Sequence, residues 1–187
     1  MTAVTRFAPS PTGYLHLGHA FSALFAADKG ERFLLRIEDI DAGRCRQEFD
    51  AAIGDDLAWL GLTWETPVRR QSEHMDDYAR ALADLDAQDL LYPCFCTRKD
   101  IAAEIAAAGH APHGPDGPLY PGICRNLDPG EQAERLAAGE AHALRLKVDA
   151  AVGQTGPLIW HVAAAGPQTA TPEIFGDVVL ARKDTPT

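Results

Sequence analysis

Apolar positions in the first ninety residues alternate between short continuous runs and helical spacing. Val4–Ala8 (VTRFA) reads as a short buried strand, which Pro9-Ser10-Pro11-Thr12-Gly13 breaks sharply. From Gly18 the pattern turns helical: His19-Ala-Phe-Ser-Ala-Leu-Phe-Ala-Ala is apolar almost all round, and Gly30 is placed to cap it. Phe33–Ile37 (FLLRI) predicts a second strand. Arg46–Leu60 predicts a helix, with Phe49, Ile53, Leu57 and Leu60 on one face and Gly61 as its stop. His74–Asp86 predicts another, with Tyr78, Leu82 and Leu85 aligned. Strand, helix, strand, helix in that order predicts an α/β fold with a parallel sheet.

The pattern shifts after residue 90. Thr97-Arg-Lys-Asp100 has the form of a capping box opening a helix toward Gly109, and Gly109–Gly122 reads as a loop from its turn residues. Pro129–Ala138 predicts a short helix; Ala143–Val148, Ile159–Val162 and Val178–Ala181 predict strands. The expected organisation is the first half of an α/β domain over 1–90, an inserted subdomain over 91–150, and a return toward the first domain over 151–187.

Composition adds bounds rather than chemistry. With 46% hydrophobic and 24% charged residues in 187, the chain can bury a core. No apolar run reaches the roughly 20 residues of a membrane span, and no signal-peptide pattern opens the chain, so the expectation is a cytoplasmic protein. A net charge of −10 excludes a general nucleic-acid coat, and stands in tension with any RNA partner unless one local face is basic.

Chemistry first shows itself between Arg6 and His19 (RFAPSPTGYLHLGH). A strand ends, two prolines stiffen the turn, and a helix opens after His16-Leu17-Gly18-His19. A helix N-terminus presents free N–H groups and the positive end of its dipole, which suits a phosphate chain. Gly18 lets a nucleotide approach the backbone, and both imidazoles can donate to phosphate oxygens as pyrophosphate leaves. There is no Walker lysine and no dinucleotide fingerprint. On an isolated H-x-G-H the ordinary reading is surface or cap histidines; the strand and prolines before it point instead to a nucleotide site.

This segment resembles the HIGH signature of class I aminoacyl-tRNA synthetases. Together with Phe33-Leu-Leu-Arg-Ile-Glu-Asp-Ile-Asp41, Leu57-Ala-Trp-Leu-Gly-Leu-Thr-Trp64 and Arg70-Gln-Ser72, it is similar to the glutamyl-tRNA synthetase family over most of residues 4–98. The resemblance implies a Rossmann-like parallel sheet and a ligase that activates L-glutamate with ATP and magnesium. It places His16 and His19 as catalytic groups. ATP falls on Pro9, His16, Leu17, Gly18 and His19, and glutamate on Arg6, Phe7, Ala8, Pro9, Ser10 and Glu38. The residue types suit those roles: a guanidinium fork for a carboxylate, a hydroxyl, and a counter-charge for an ammonium group. The competing reading of Arg36, Glu38, Asp39 and Asp41 is a solvated acidic turn with internal ion pairs.

Cys94-Phe-Cys96 and Cys124, behind a loop rich in His, Pro and Gly, point to a structural zinc ion; Cys45 carries no functional assignment. Metal chemistry alone nominates His110 or His113 as the fourth ligand. The spacing of Tyr120 and Cys124 resembles the family branch that passes glutamate to queuosine in the anticodon of tRNA(Asp), and that resemblance implies the set Cys94, Cys96, Tyr120 and Cys124. The alternatives are part of a conventional glutamate–tRNA ligase, or a non-catalytic zinc-binding relic. The sequence carries no KMSKS-type lysine loop. The expectation is therefore an incomplete sheet, a chain of 187 residues inactive by itself, and an exposed edge prone to self-association.

Overall fold

The computed structural model describes residues 2–107, 113–115, 117–162 and 165–183. The chain divides into two compact units, Met1–Tyr78 and Ala79–Thr187.

In the first unit β1 (Val4–Phe7), α1 (Leu17–Lys29), β2 (Arg32–Ile37), α2 (Gln47–Trp59) and β3 (Glu65–Arg70) follow one another. The strands form a parallel sheet in the order β1-β2-β3, with Phe7 opposite Leu35 and Arg6 opposite Leu34. The predicted parallel α/β arrangement is present. Phe7, Phe33, Leu35 and Ile37 share one sheet face and close a core with Ala23 of α1 and with Ile53 and Leu57 of α2. Strand alternation puts Arg6, Leu34 and Arg36 on the opposite face. β3 escapes the sequence pattern because its residues, ETPVRR, are only half-buried and polar. A single 3₁₀ turn, Gln71–His74, leads into α3 (Met75–Asp86).

The second unit continues with β4 (Leu91–Cys94), α4 (Arg98–Ala107), β5 (His113–Gly114), β6 (Gly117–Pro118), α5 (Pro129–Ala137), β7 (Ala143–Leu146), α6 (Val148–Thr155), β8 (Ile159–Val162), β9 (Gly166–Thr169) and β10 (Val179–Ala181). An antiparallel sheet runs β10-β7-β4, and two small hairpins pair β5 with β6 and β8 with β9. The capping box at Thr97 forms: Thr97 N donates to Asp100 Oδ2 at 2.7 Å, and Asp100 N to Thr97 Oγ1 at 3.2 Å. The strand expected over Ala143–Val148 stops at Leu146, because Val148 N finds the Asp177 carboxylate at 3.0 Å and opens α6 there. Part of the expected loop Gly109–Gly122 is the β5–β6 hairpin. Residues 151–183, expected to return to the catalytic domain, contribute α6 and β8–β10 to this second unit.

Candidate functional site: a histidine-capped helix and a cysteine–tyrosine cluster

The RFAPSPTG segment lies at the carboxyl ends of the parallel strands, where open α/β sheets place their ligands. Two backbone bonds staple it. Glu38 N donates to Pro9 O at 2.9 Å, and Arg46 N to Pro11 O at 3.0 Å. Pro9 and Pro11 are buried, whereas Arg6 and Ser10 are exposed.

The helix that follows is capped by its own histidines. His16, extended at φ −122°, is the N-cap of α1. Its Nδ1 accepts from Gly18 N at 3.1 Å, and His19 Nδ1 accepts in return from His16 N at 3.2 Å. The rings lie 3.8 Å apart. Because each Nδ1 accepts, the neutral ring carries its proton on Nε2. Two Nε2–H donors thus remain at a helix N-terminus, and burial followed by the neighbouring His16 holds His19 below the ordinary histidine value. A Cβ on Gly18 would sit 3.1 Å from His16 Cε1, so glycine here leaves room for the capping imidazole.

His16 lines a groove of about 250 Å³ with Leu15, Leu17, Ala20, Asp56, Trp59 and Leu60. The lining of that groove does not include Arg6, Ser10 or Glu38. Glu38 is half-buried and ion-paired with Arg36. Asp39 accepts from Ser72 N at 2.9 Å and from Ser72 Oγ at 2.6 Å, and Asp41 pairs with Arg44 at 2.8 Å. The acidic turn therefore does carry internal ion pairs. The Asp39–Ser72 clamp, Asp56 and Trp59 were missed from sequence; Arg70-Gln-Ser72 marked the segment but gave no partner thirty-three residues away.

In the second unit, buried β4 delivers Cys94 and the chain behind it delivers Cys96. Gly122, at φ +80°, turns the chain into the 3₁₀ helix Ile123–Asn126, which carries Cys124. The three sulfurs lie within 4.8 Å of one another. Cys96 Sγ is 3.3 Å from Cys124 Sγ, and the Tyr120 hydroxyl is 3.4 Å from Cys94 Sγ and 3.6 Å from Cys96 Sγ. Ligands tetrahedrally arranged around zinc, with Zn–S near 2.3 Å, stand about 3.8 Å apart, so four donors at these separations fit such an ion. Of the histidines, His113 lies in the β5–β6 hairpin, exposed, and His110 lies outside the described residues. Tyr120 is the oxygen donor brought to the sulfurs.

Burial raises Tyr120 above the ordinary phenol range and pushes Cys96 up to about 12, with Cys124 as its next contributor. Burial also works to raise Cys94, but hydrogen bonds from Tyr120 and Arg145 outweigh it and leave that thiol lowered. Arg145 stacks on the Tyr120 ring at 3.8 Å, and its Nε is buried with no hydrogen-bond partner among the described residues.

Residues 2–185 match the catalytic domain of class I tRNA synthetases (E and Q). The chain belongs to this family. A glutamyl-Q tRNA(Asp) synthetase from Rhodobacter capsulatus is 48% identical over 190 residues, covering 97% of this chain and 67% of that protein. One from Symbiobacterium thermophilum is 42% identical over 96% of the chain and 57% of its own length. A glutamate–tRNA ligase 2 from Acidithiobacillus ferrooxidans is 40% identical, with 39% of its length covered. The glutamate tRNA ligase of Elizabethkingia meningosepticum, solved in complex with its amino acid, superimposes with a TM-score of 0.74 at 27% identity, over all of this chain and 40% of that one. The chain thus spans two-fifths to two-thirds of the length of these synthetases. No helix among the described residues is long and apolar enough to cross a membrane.

Proposed function

We propose that this chain is the amino-terminal part of a ligase that activates L-glutamate with ATP, and that the whole protein passes the glutamyl group to queuosine in the anticodon of tRNA(Asp). The observation that carries the reading is the reciprocal histidine cap at the mouth of α1, which leaves two neutral N–H donors where a triphosphate would meet the positive end of the helix. A glutamate carboxylate oxygen attacks the α-phosphorus, the bond to the bridging oxygen breaks, and pyrophosphate leaves. His16 and His19 donate to the phosphate oxygens as charge develops there, and Leu17, Gly18 and Pro9 shape the backbone approach. Arg6 and Ser10 take the amino acid beside Phe7–Pro9. Its ammonium group displaces Arg36 from Glu38, which is a charge-for-charge exchange. Catalysis is by positioning and electrostatics, with no covalent intermediate on the protein. A magnesium ion accompanies ATP.

Cys94, Cys96, Tyr120 and Cys124 would hold one zinc ion, which supplies a structural cross-link in the second unit, read as the inserted zinc-binding subdomain. The two glutamyl-Q tRNA(Asp) synthetases support the queuosine acceptor. The 40% identity to a glutamate–tRNA ligase and the likeness to solved ligases support a second reading, a conventional ligase charging tRNA(Glu).

Labelled glutamate supplied with ATP and three acceptors separates these readings. Incorporation into queuosine-containing tRNA(Asp), but not into queuosine-free tRNA(Asp) or tRNA(Glu), is the expected result for the full-length protein. Label on tRNA(Glu) alone would replace the first reading by the second. Calorimetric binding of a non-hydrolysable glutamyl-adenylate analogue that His16→Ala leaves unchanged would remove the role of the cap.

A further inference from the structure

Four donors gathered around one divalent ion create a charge problem, since three thiolates outweigh the ion even with a neutral phenol. The second unit surrounds the cluster with cations. Arg145, on β7, is the nearest: its guanidinium carbon lies 3.8 Å over the Tyr120 ring. Arg135 lies 4.3 Å over the Phe95 ring, and Lys183 Nζ donates at 2.6 Å to the backbone oxygen of Phe95, the residue between the two cysteines of the Cys-x-Cys pair.

Arg145 is in turn fixed by a largely buried hub. Its Nη1 donates to the backbone oxygen of Asp177 at 2.7 Å. The Asp177 carboxylate, 9% exposed, accepts from the Tyr92 hydroxyl at 2.8 Å, from Arg125 Nη1 at 3.2 Å and from Val148 N at 3.0 Å. Elements from β4 to β10 thus converge on one aspartate whose backbone aims one arginine at one tyrosine.

We propose that Arg145 is a positioning and charge-compensating residue of the cysteine–tyrosine cluster, held by Asp177, which orients the Tyr120 oxygen and offsets the negative charge of the sulfurs. The inference rests on the reading of the cluster as a metal site. Stacking restricts the phenol ring to the plane that sends its oxygen to the sulfurs, and the fixed positive charge lowers the cost of gathering anionic donors. A Met side chain would fill the volume but supply neither effect. Lys would keep the charge without the planar stack.

The test is competitive titration of Zn(II) and Co(II) against a chromophoric chelator, on the reduced 187-residue chain and its variants. The native chain should bind one equivalent. Arg145→Met should lower affinity about tenfold or more while far-ultraviolet dichroism is retained, and Arg145→Lys should recover part of the loss. In a Tyr120→Phe background the Arg145→Met effect should shrink, because the ring no longer presents an oxygen to orient. Native-like affinity in Arg145→Met overturns the proposal and leaves the metal site standing. Failure of the reduced native chain to bind either ion removes the metal reading and the proposal with it. Should the methionine variant not fold, Arg145→Lys decides: affinity within about twofold of native overturns the positioning role, and a larger loss upholds it.

Discussion

At the scale of single residues, the histidine pair caps its helix through one nitrogen of each ring and leaves the other nitrogen outside the cap. Nδ1 of each ring is committed to a backbone amide, so the cap survives only while those nitrogens are unprotonated. Folding holds His19 below its ordinary value of 6.5, first through burial and then through His16. Below that value the unfolded chain binds the proton before the folded one does. Stability is therefore expected to be fully present above about pH 6.5 and to fall as pH drops through the lower folded value. Histidine resonances followed by NMR should show His19 titrating below 6.5, and a midpoint above it would contradict the cap. His16→Ala should cost about 0.5–2 kcal/mol in urea denaturation, the usual worth of a side-chain N-cap. Gly18→Ala should crowd the His16 ring and strain its bond to the amide, since 3.1 Å separates the new methyl from Cε1. The expected readout is weaker nucleotide binding with little change in far-ultraviolet dichroism. These details were partly legible. The motif placed both histidines at a helix start, but nothing in it revealed that they cap each other, because that depends on ring orientation.

At the scale of elements, α2 anchors the first unit. Ile53 and Leu57 are about 1% and 0% exposed and meet Phe33, Leu35 and Ile37 across the sheet. Leu57→Ala should destabilise this unit by about 2–5 kcal/mol, measured as a shift in the chemical denaturation midpoint, because the sheet and two helices cannot close over the cavity. The helices that form this core were legible because their apolar spacing matches 3.6 residues per turn. β3 and β4 were not. β3 is polar and half-buried, whereas β4 carries a proline and a cysteine of the metal-type cluster in four positions, and its pairing with β7 spans about fifty residues. Strand identity in both cases comes from a partner elsewhere in the chain.

For the molecule as a whole, two features predict behaviour in solution. Each unit has its own buried cluster, one around Ile37 and Leu57 and the other around Tyr92, Cys94, Phe95 and Cys124. On the zinc reading proposed above, treatment with a chelator should loosen the second cluster, seen as increased thiol reactivity of Cys94, Cys96 and Cys124, while tryptophan fluorescence from Trp59 and Trp64 in the first unit changes little. The second feature is exposed apolar surface. Leu17 is 86% exposed, Phe21 68% and Trp59 85%, and β1 is an edge strand among the described residues. Concentration-dependent self-association is the expected outcome, and a single monomeric species in sedimentation velocity across the micromolar range would contradict it. Local pairs such as Arg70–Asp50 and Arg125–Asp149 occupy cations of both units, and the net charge of −10 is unchanged by such pairing.

The order β1, α1, β2, α2, the glycine and proline stops, the histidine turn and the spacing of three cysteines were fixed by local chemistry: periodicity, φ preference and donor type act over a few residues. What the tertiary structure decided lies across long separations. It brought Ser72 to Asp39, Tyr120 to Cys94 and Asp177 to Arg145, and it left His16 in a groove that Arg6 does not line. A side chain's partner across the fold depends on how the whole backbone packs, and no window of neighbouring residues contains that information.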